Sequence, residues 1–134
     1  MIVDTSAIVA IFLRESGYEI LLAAIDTADT VAISAATLLE AGIVLSERLG
    51  QDATGLLQTF VTSCGAEVLP FTSAHWPVAV DAWRTWGKGR HPAALNFGDC
   101  VTFATARLAG MPLLFVGDDF ARTDVARIDV GGMR

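Results

Sequence analysis

The sequence predicts an α/β protein in which a mostly parallel sheet of four to five strands is covered by helices on both faces. Three observations lead there. Short apolar runs alternate along the chain with segments whose apolar residues recur at helical spacing. Each run is continuously hydrophobic, as strands buried on both faces are, rather than alternating. Gly, Pro and capping Ser or Thr residues separate the segments, which is the order of a βαβ fold.

Met1 to Thr5 reads as a buried first strand, and Ser6 as the cap of a helix starting at Ala7 that carries Ile8, Val9, Ile11, Phe12 and Leu13. After Gly17 a second helix runs from about Tyr18 to Ala28, and Val31 to Ile33 forms the second strand. Ser34 caps a third helix bearing Leu38, Leu39, Ile43 and Leu49, which Gly50 ends. Ala53 to Ser63 is helical, Glu67 to Phe71 the third strand, and Thr72 or Ser73 opens a helix with Trp76, Val80 and Trp83 on one face. The stretch Gly87-Lys88-Gly89-Arg90-His91-Pro92 is a loop, and a helix follows from Phe97 to Leu108. Gly110 stops that helix, Pro112 leads into the strand Leu113 to Val116, and Ile128 to Val130 is expected as a last edge strand.

With 134 residues the chain is long enough for one compact domain spanning residues 1–134 and too short for two independent cores. Hydrophobic residues at 53% against 18% charged suggest that some apolar surface meets a partner, so a homodimer or a partner protein is expected. No apolar run reaches the roughly 18 residues that span a bilayer, and the start lacks a signal-peptide pattern, which points to a cytoplasmic protein without a membrane role. Cys64 and Cys100 have no metal-ligand spacing and read as core thiols. The net charge of −6 speaks against binding nucleic acid through a basic surface. Its distribution weakens the objection, because through residue 80 two basic residues face nine acids, whereas beyond it seven face six.

Asp4, Glu40, Asp99 and the Asp118-Asp119 pair stand beside or within strongly hydrophobic segments. An unpaired buried charge costs several kcal/mol, so such carboxylates require a neutraliser, and oxygen-only acidic sites suit Mg²⁺ or Mn²⁺. Asp4 and Asp118 each follow a strand, at the carboxyl edge where doubly wound sheets bind ligands. Glu40 shares a helix face with Thr37 and Val44 beside the Leu39 and Ile43 stripe, which places it at the margin of the core. Asp99 falls in the first turn of its helix, where the dipole favours an anion. Taken singly, each acid has an ordinary reading as a cap, a turn or a surface residue; together they converge on a metal site.

These residues carry a resemblance. Ile2-Val3-Asp4-Thr5-Ser6-Ala7, Leu39-Glu40, Gly87-Lys88-Gly89-Arg90-His91, Leu95-Asn96-Phe97-Gly98-Asp99-Cys100 and Leu114-Phe115-Val116-Gly117-Asp118-Asp119-Phe120 followed by Thr123-Asp124 occur in the order of PIN-domain ribonucleases of the VapC toxin type. The chain resembles that family over essentially its whole length. The resemblance implies an α/β/α sandwich, Mg²⁺- or Mn²⁺-dependent endonucleolytic cleavage of RNA, dimerisation and inhibition by a cognate antitoxin. It also implies metal-binding roles for Asp4, Glu40 and Asp99, with the fourth acid drawn from Asp118 or Asp119.

On that reading, Thr5 or Ser6 holds a carboxylate or a metal-bound water, and Lys88, Arg90 and His91 hold flanking phosphates. Trp76, Trp83 and Trp86 read as packing or dimer contacts, and the first helices, with Phe12 and Leu21-Leu22, as a groove for an antitoxin helix. A phospho-receiver module is the main alternative. It needs an acidic pair after the first strand and a lysine after the last interior strand, but Asp4 stands alone and nothing basic follows Val116 until Arg122. A dehalogenase-type phosphatase needs a second Asp where Ser6 stands. A catalytically inactive PIN fold serving only as an interaction partner is the third reading.

Overall fold

A computed structural model describes residues 1–130. β1 (Ile2–Val3), β2 (Ala32–Ser34), β3 (Glu67–Leu69) and β4 (Leu113–Leu114) form one parallel sheet in the order β3-β2-β1-β4. Register pairs Ile2 with both Ala32 and Leu113, and Val3 with Leu114. Each strand returns through helices: α1 (Thr5–Phe12) and α2 (Tyr18–Thr27), then α3 (Ala35–Leu49) and α4 (Thr54–Ser63), then α5 (His75–Trp86) and α6 (Phe97–Ala109).

The pleat sorts the core into two halves. Ile2, Ala32 and Leu113 point to one face, where they meet Ala82 of α5 and Phe103 of α6. Val3, Ile33 and Leu114 point to the other, against Ile8, Leu21, Leu45 and Leu57 from α1 to α4. In both halves each fully buried Ile, Leu or Val contributes roughly 1.5–3 kcal/mol. The result is the three-layer α/β/α sandwich.

Successive strands step from β1 to β2 to β3, after which the chain crosses back to lay β4 on the other side of β1. The connections therefore diverge between β1 and β4, and the crevice at their carboxyl ends is the switch point. Among the described residues no helix is long and apolar enough to cross a membrane.

Several expectations change. The first strand ends at Val3 because Asp4, not Ser6, caps α1, accepting the Ser6 N–H at 3.0 Å. Helix α5 starts at His75, since Thr72 donates its N–H to His75 Nδ1 in a turn before the helix. Ile128 to Val130 forms no strand; Leu113 is bridged to Arg127 alone, through hydrogen bonds with Ala126 and Ile128. Leu39 and Ile43 are not core: they are 66% and 59% exposed, while Thr37, Ala41 and Leu45 form the buried face of α3. Trp76 (59% exposed), Val80 and Trp83 likewise lie on the surface, so of the two readings packing fails for Trp76 and Trp83, while Trp86 packs against the core.

An apolar groove of about 1010 Å³ runs between α3, α4 and β3, lined by Leu38, Leu39, Ile43, Leu57 and Val61. It lies away from the first two helices, where Leu21 is buried in the core. Cys64 and Cys100 are both free thiols, half-buried and buried respectively.

Candidate active site

At the switch point a cleft of about 310 Å³ gathers Asp4, Thr5, Ser6, Glu15, Glu40, Asn96, Asp99 and Asp119. Among the described residues, no Lys, Arg or His lines it. Asp4 leaves β1 only 3% exposed. Its N-cap hydrogen bond is worth about 1 kcal/mol, whereas burying a carboxylate costs several, so capping does not account for the acid. Thr102 on α6 donates its hydroxyl to Asp4 Oδ1 at 2.6 Å, and the Thr37 hydroxyl lies 3.4 Å behind it. Burial still holds the Asp4 pKa above the ordinary carboxylate value, with the bonds from Thr102, Ser6 and Thr5 pulling the other way.

Glu40 projects from α3, and Thr5 donates its hydroxyl to Glu40 Oε1 at 2.5 Å. Ser6 serves both carboxylate and backbone: its side chain and its N–H both bond Asp4. Its Oγ accepts the Val116 N–H at 2.9 Å, tying the start of α1 to the chain leaving β4. Asp99 is the third residue of α6 and forms a reciprocal capping box. Its Oδ2 accepts the Asn96 N–H at 3.0 Å, and Asn96 Oδ1 accepts the Asp99 N–H at 2.9 Å. Desolvation lifts the Asp99 pKa to about 7 despite the Asn96 bond, with further upward contributions from the charges of Asp4 and Asp119.

Between the two adjacent acids after β4, the geometry separates the roles. Gly117 takes φ 105°, a left-handed conformation open to glycine, and turns the chain toward the single-turn 3₁₀ segment Phe120–Arg122. Asp119 reaches the cleft and interacts with Asp99, whereas Asp118 does not line it.

Lys88, Arg90 and His91 do not line the acidic cleft. Arg90 Nε donates to the Arg84 carbonyl at 3.2 Å and its guanidinium covers Trp83 at 4.7 Å. His91 Nδ1 accepts the Ala93 N–H and its ring packs edge-on to Trp86. Lys88 borders a separate hollow between α5 and α6, beside Asn96 and Phe97.

The sequence alone does not single out Glu15, Asn96, Thr37 or Thr102 as site residues. Thr102 and Asp99 share a face of α6 at i, i+3, a spacing open to reading. Glu15 enters through the end of α1, where its N–H bonds Ala10 O and the Arg14 N–H bonds Ile11 O. That is a Schellman ending with Arg14, at φ 50°, in the position glycine usually takes.

Thr102→Val keeps the shape of the side chain but removes the donor to Asp4. Leaving a buried acceptor unsatisfied is expected to cost about 1–3 kcal/mol, read from chemical denaturation. A variant as stable as the wild type would show that this bond does not hold an ionised Asp4.

An all-oxygen set of mutually repelling carboxylates, one of them buried, fits a hard divalent cation. Among the described residues, no three such side chains are yet gathered about one point. Asp4, Glu40, Asp99 and Asp119 are the carboxylates of the cleft that could hold such an ion, with Glu15 beside them.

A parallel α/β/α sheet with acids from four separate segments at its switch point defines a class, and comparison with known proteins gives its family. The PIN domain profile matches residues 1–126, so the chain belongs to the PIN-domain family. Within it the chain groups with VapC ribonucleases. It is 45% identical over 126 residues to ribonuclease VapC36 of Mycobacterium tuberculosis, covering 93% of this chain and 91% of that protein. It is 38% identical over 128 residues to ribonuclease VapC of Mycolicibacterium smegmatis, covering 96% and 99%. The fold is also that of the M. tuberculosis toxin VapC20, described as cleaving the sarcin-ricin loop (TM-score 0.74, 21% identity, 95% of this chain and 97% of that one). A toxin-antitoxin complex from Klebsiella pneumoniae gives a TM-score of 0.70 at 19% identity, covering 97% of each chain.

Proposed function

We propose that this chain, acting as one domain over residues 1–134, is an endoribonuclease of the VapC type and the toxin of a toxin–antitoxin pair. It cuts RNA with the help of Mg²⁺ or Mn²⁺ held by Asp4, Glu40, Asp99 and Asp119. The observation that carries this reading is the convergence of those acids in a cleft that no basic residue lines among the described residues. When bound, the cation supplies a water of lowered pKa and neutralises charge on the phosphate.

The protein's own contribution is position. Asp4 is fixed by Ser6 and Thr102 on a buried helix start, which leaves it little rotational freedom. Asp99 commits Oδ2 to Asn96, and Glu40 is aimed by Thr5. The Lys88 ammonium makes no hydrogen bond or ion pair among the described residues and is the cation best suited to a flanking phosphate, its backbone N–H being tied to the Leu95 carbonyl; Arg90 and His91 shape its loop. The exposed apolar side chains of α3 and α5, Leu39, Ile43, Trp76 and Trp83, supply surface for an antitoxin and for a second copy of the chain. A receiver-like role is disfavoured, because no lysine follows β4.

The test is cleavage of a defined RNA by purified protein after exhaustive EDTA treatment, with Mn²⁺ then added back. Cutting is expected to vanish with EDTA and return with Mn²⁺. Cutting that survives chelation would overturn the metal-dependent reading.

A further inference from the structure

Gly98 is the second residue of α6, buried and directly before Asp99. Its backbone is not left-handed, so no dihedral angle demands glycine there. Space does. A Cβ added at Gly98 would overlap both carboxylate oxygens of Glu40 and lie 2.5 Å from its Cδ. By contrast, a Cβ on Gly42 of α3 would meet Leu57 at an ordinary 3.6 Å. Glu40 is thus seated between the Thr5 hydroxyl of α1 and the bare Cα of α6, one residue from Asp99.

We propose that Gly98 is a positioning residue: its missing side chain is the seat that lets Glu40 lie against the first turn of α6 beside Asp99. The inference rests on the reading of these acids as the cation and RNA-cleaving site. The atoms that a side chain would strike are the far end of a flexible Glu, not backbone. A methyl group at residue 98 therefore displaces Glu40 rather than α6, and alanine favours the helix over glycine. Fold and site separate in this one substitution.

In Gly98→Ala, the metal-free melting temperature is expected to equal or exceed that of the wild type. Mn²⁺ affinity, measured by calorimetry, is expected to weaken at least about 10-fold, with RNA cleavage falling in parallel. Glu40→Ala is expected to weaken Mn²⁺ binding similarly, and adding Gly98→Ala to it to change nothing more, since the evicted group is already gone. Wild-type Mn²⁺ affinity in Gly98→Ala, or an undiminished second loss in the double variant, would overturn the proposal. A crystal structure of Gly98→Ala reads the seat directly: Glu40 still on Thr5 and against α6 refutes it, and a displaced carboxylate supports it. If Glu40→Ala leaves Mn²⁺ binding intact, the underlying metal reading falls instead, and that crystal structure alone decides the seat.

Discussion

Asp4→Asn is expected to lower RNA cleavage by on the order of 10³-fold or more, about 4 kcal/mol of barrier, while the protein stays folded. The substitution keeps the shape of the side chain and removes one negative charge from the most buried acid of the cleft. Stability has opposing contributions. Neutralising a carboxylate whose charge is penalised by burial favours the fold, while an amide set between the Ser6 N–H and the Thr102 hydroxyl exchanges charge-assisted bonds for weaker neutral ones. These offset to within about 1–2 kcal/mol, so the melting temperature is expected to move by only a few degrees. Asp119→Asn is expected to impair cleavage much more than Asp118→Asn, because only Asp119 reaches the cleft and faces Asp99. Undiminished cutting by Asp4→Asn protein would trace the activity to a contaminating nuclease.

How much of this could be read from residues alone depends on what each signal encodes. Ile2-Val3 and Leu113-Leu114 are short apolar runs with no polar alternation, which is enough to place them inside a parallel sheet and to put Asp4 at its carboxyl edge. Asp99 is legible because it stands in the first turn of an apolar helix, where the dipole favours an anion; the capping box with Asn96 is what the structure adds. The choice between Asp118 and Asp119 is not periodic at all; it depends on the turn at Gly117, a dihedral angle that no pattern of residue types records. The cap of α1 shifts from Ser6 to Asp4 for a related reason: both residues are good caps, and the Val116 N–H takes the Ser6 hydroxyl.

Leu39, Ile43, Trp76 and Trp83 show a different limit. Helical periodicity identifies an apolar face but not what covers it, and on α3 two apolar faces compete. The small residues Ala41 and Thr37 take the sheet side, where close approach matters, and the large ones are left outside. The proposed function gives this inversion a reason, since a toxin that met an antitoxin would keep apolar side chains on its surface. Gly98 belongs to the same category: its identity reflects a long-range neighbour, Glu40, and local sequence is silent on that contact.

The metal-free protein is expected to lose stability as pH rises from about 4 to about 7, and a divalent cation to restore it. Asp99 ionises near pH 7 in the folded protein, against an ordinary value of 3.8, and Asp4 is shifted in the same direction. Below pH 4 Asp99 is protonated whether the chain is folded or not, so it imposes no penalty. Between these limits the folded form binds the proton that the unfolded form has released, and stability falls with rising pH until the penalty is complete above about 7. Asp52 shifts the opposite way, but its pKa lies below 3.8, outside this window. A bound cation takes the place of the proton. Mg²⁺ or Mn²⁺ is therefore expected to raise the melting temperature markedly at pH 7.5 and hardly at pH 5, with the gain set by ligand excess over Kd. Asp99→Asn isolates the effect, since it is expected to flatten the metal-free pH profile and remove most of the cation's stabilisation together. Thermal melts at pH 5 and 7.5, with and without Mn²⁺, measure both. A metal-free wild type that grows more stable across this range, or an Asp99→Asn variant with an unchanged slope, would show that burial and the neighbouring carboxylates do not penalise the Asp99 charge.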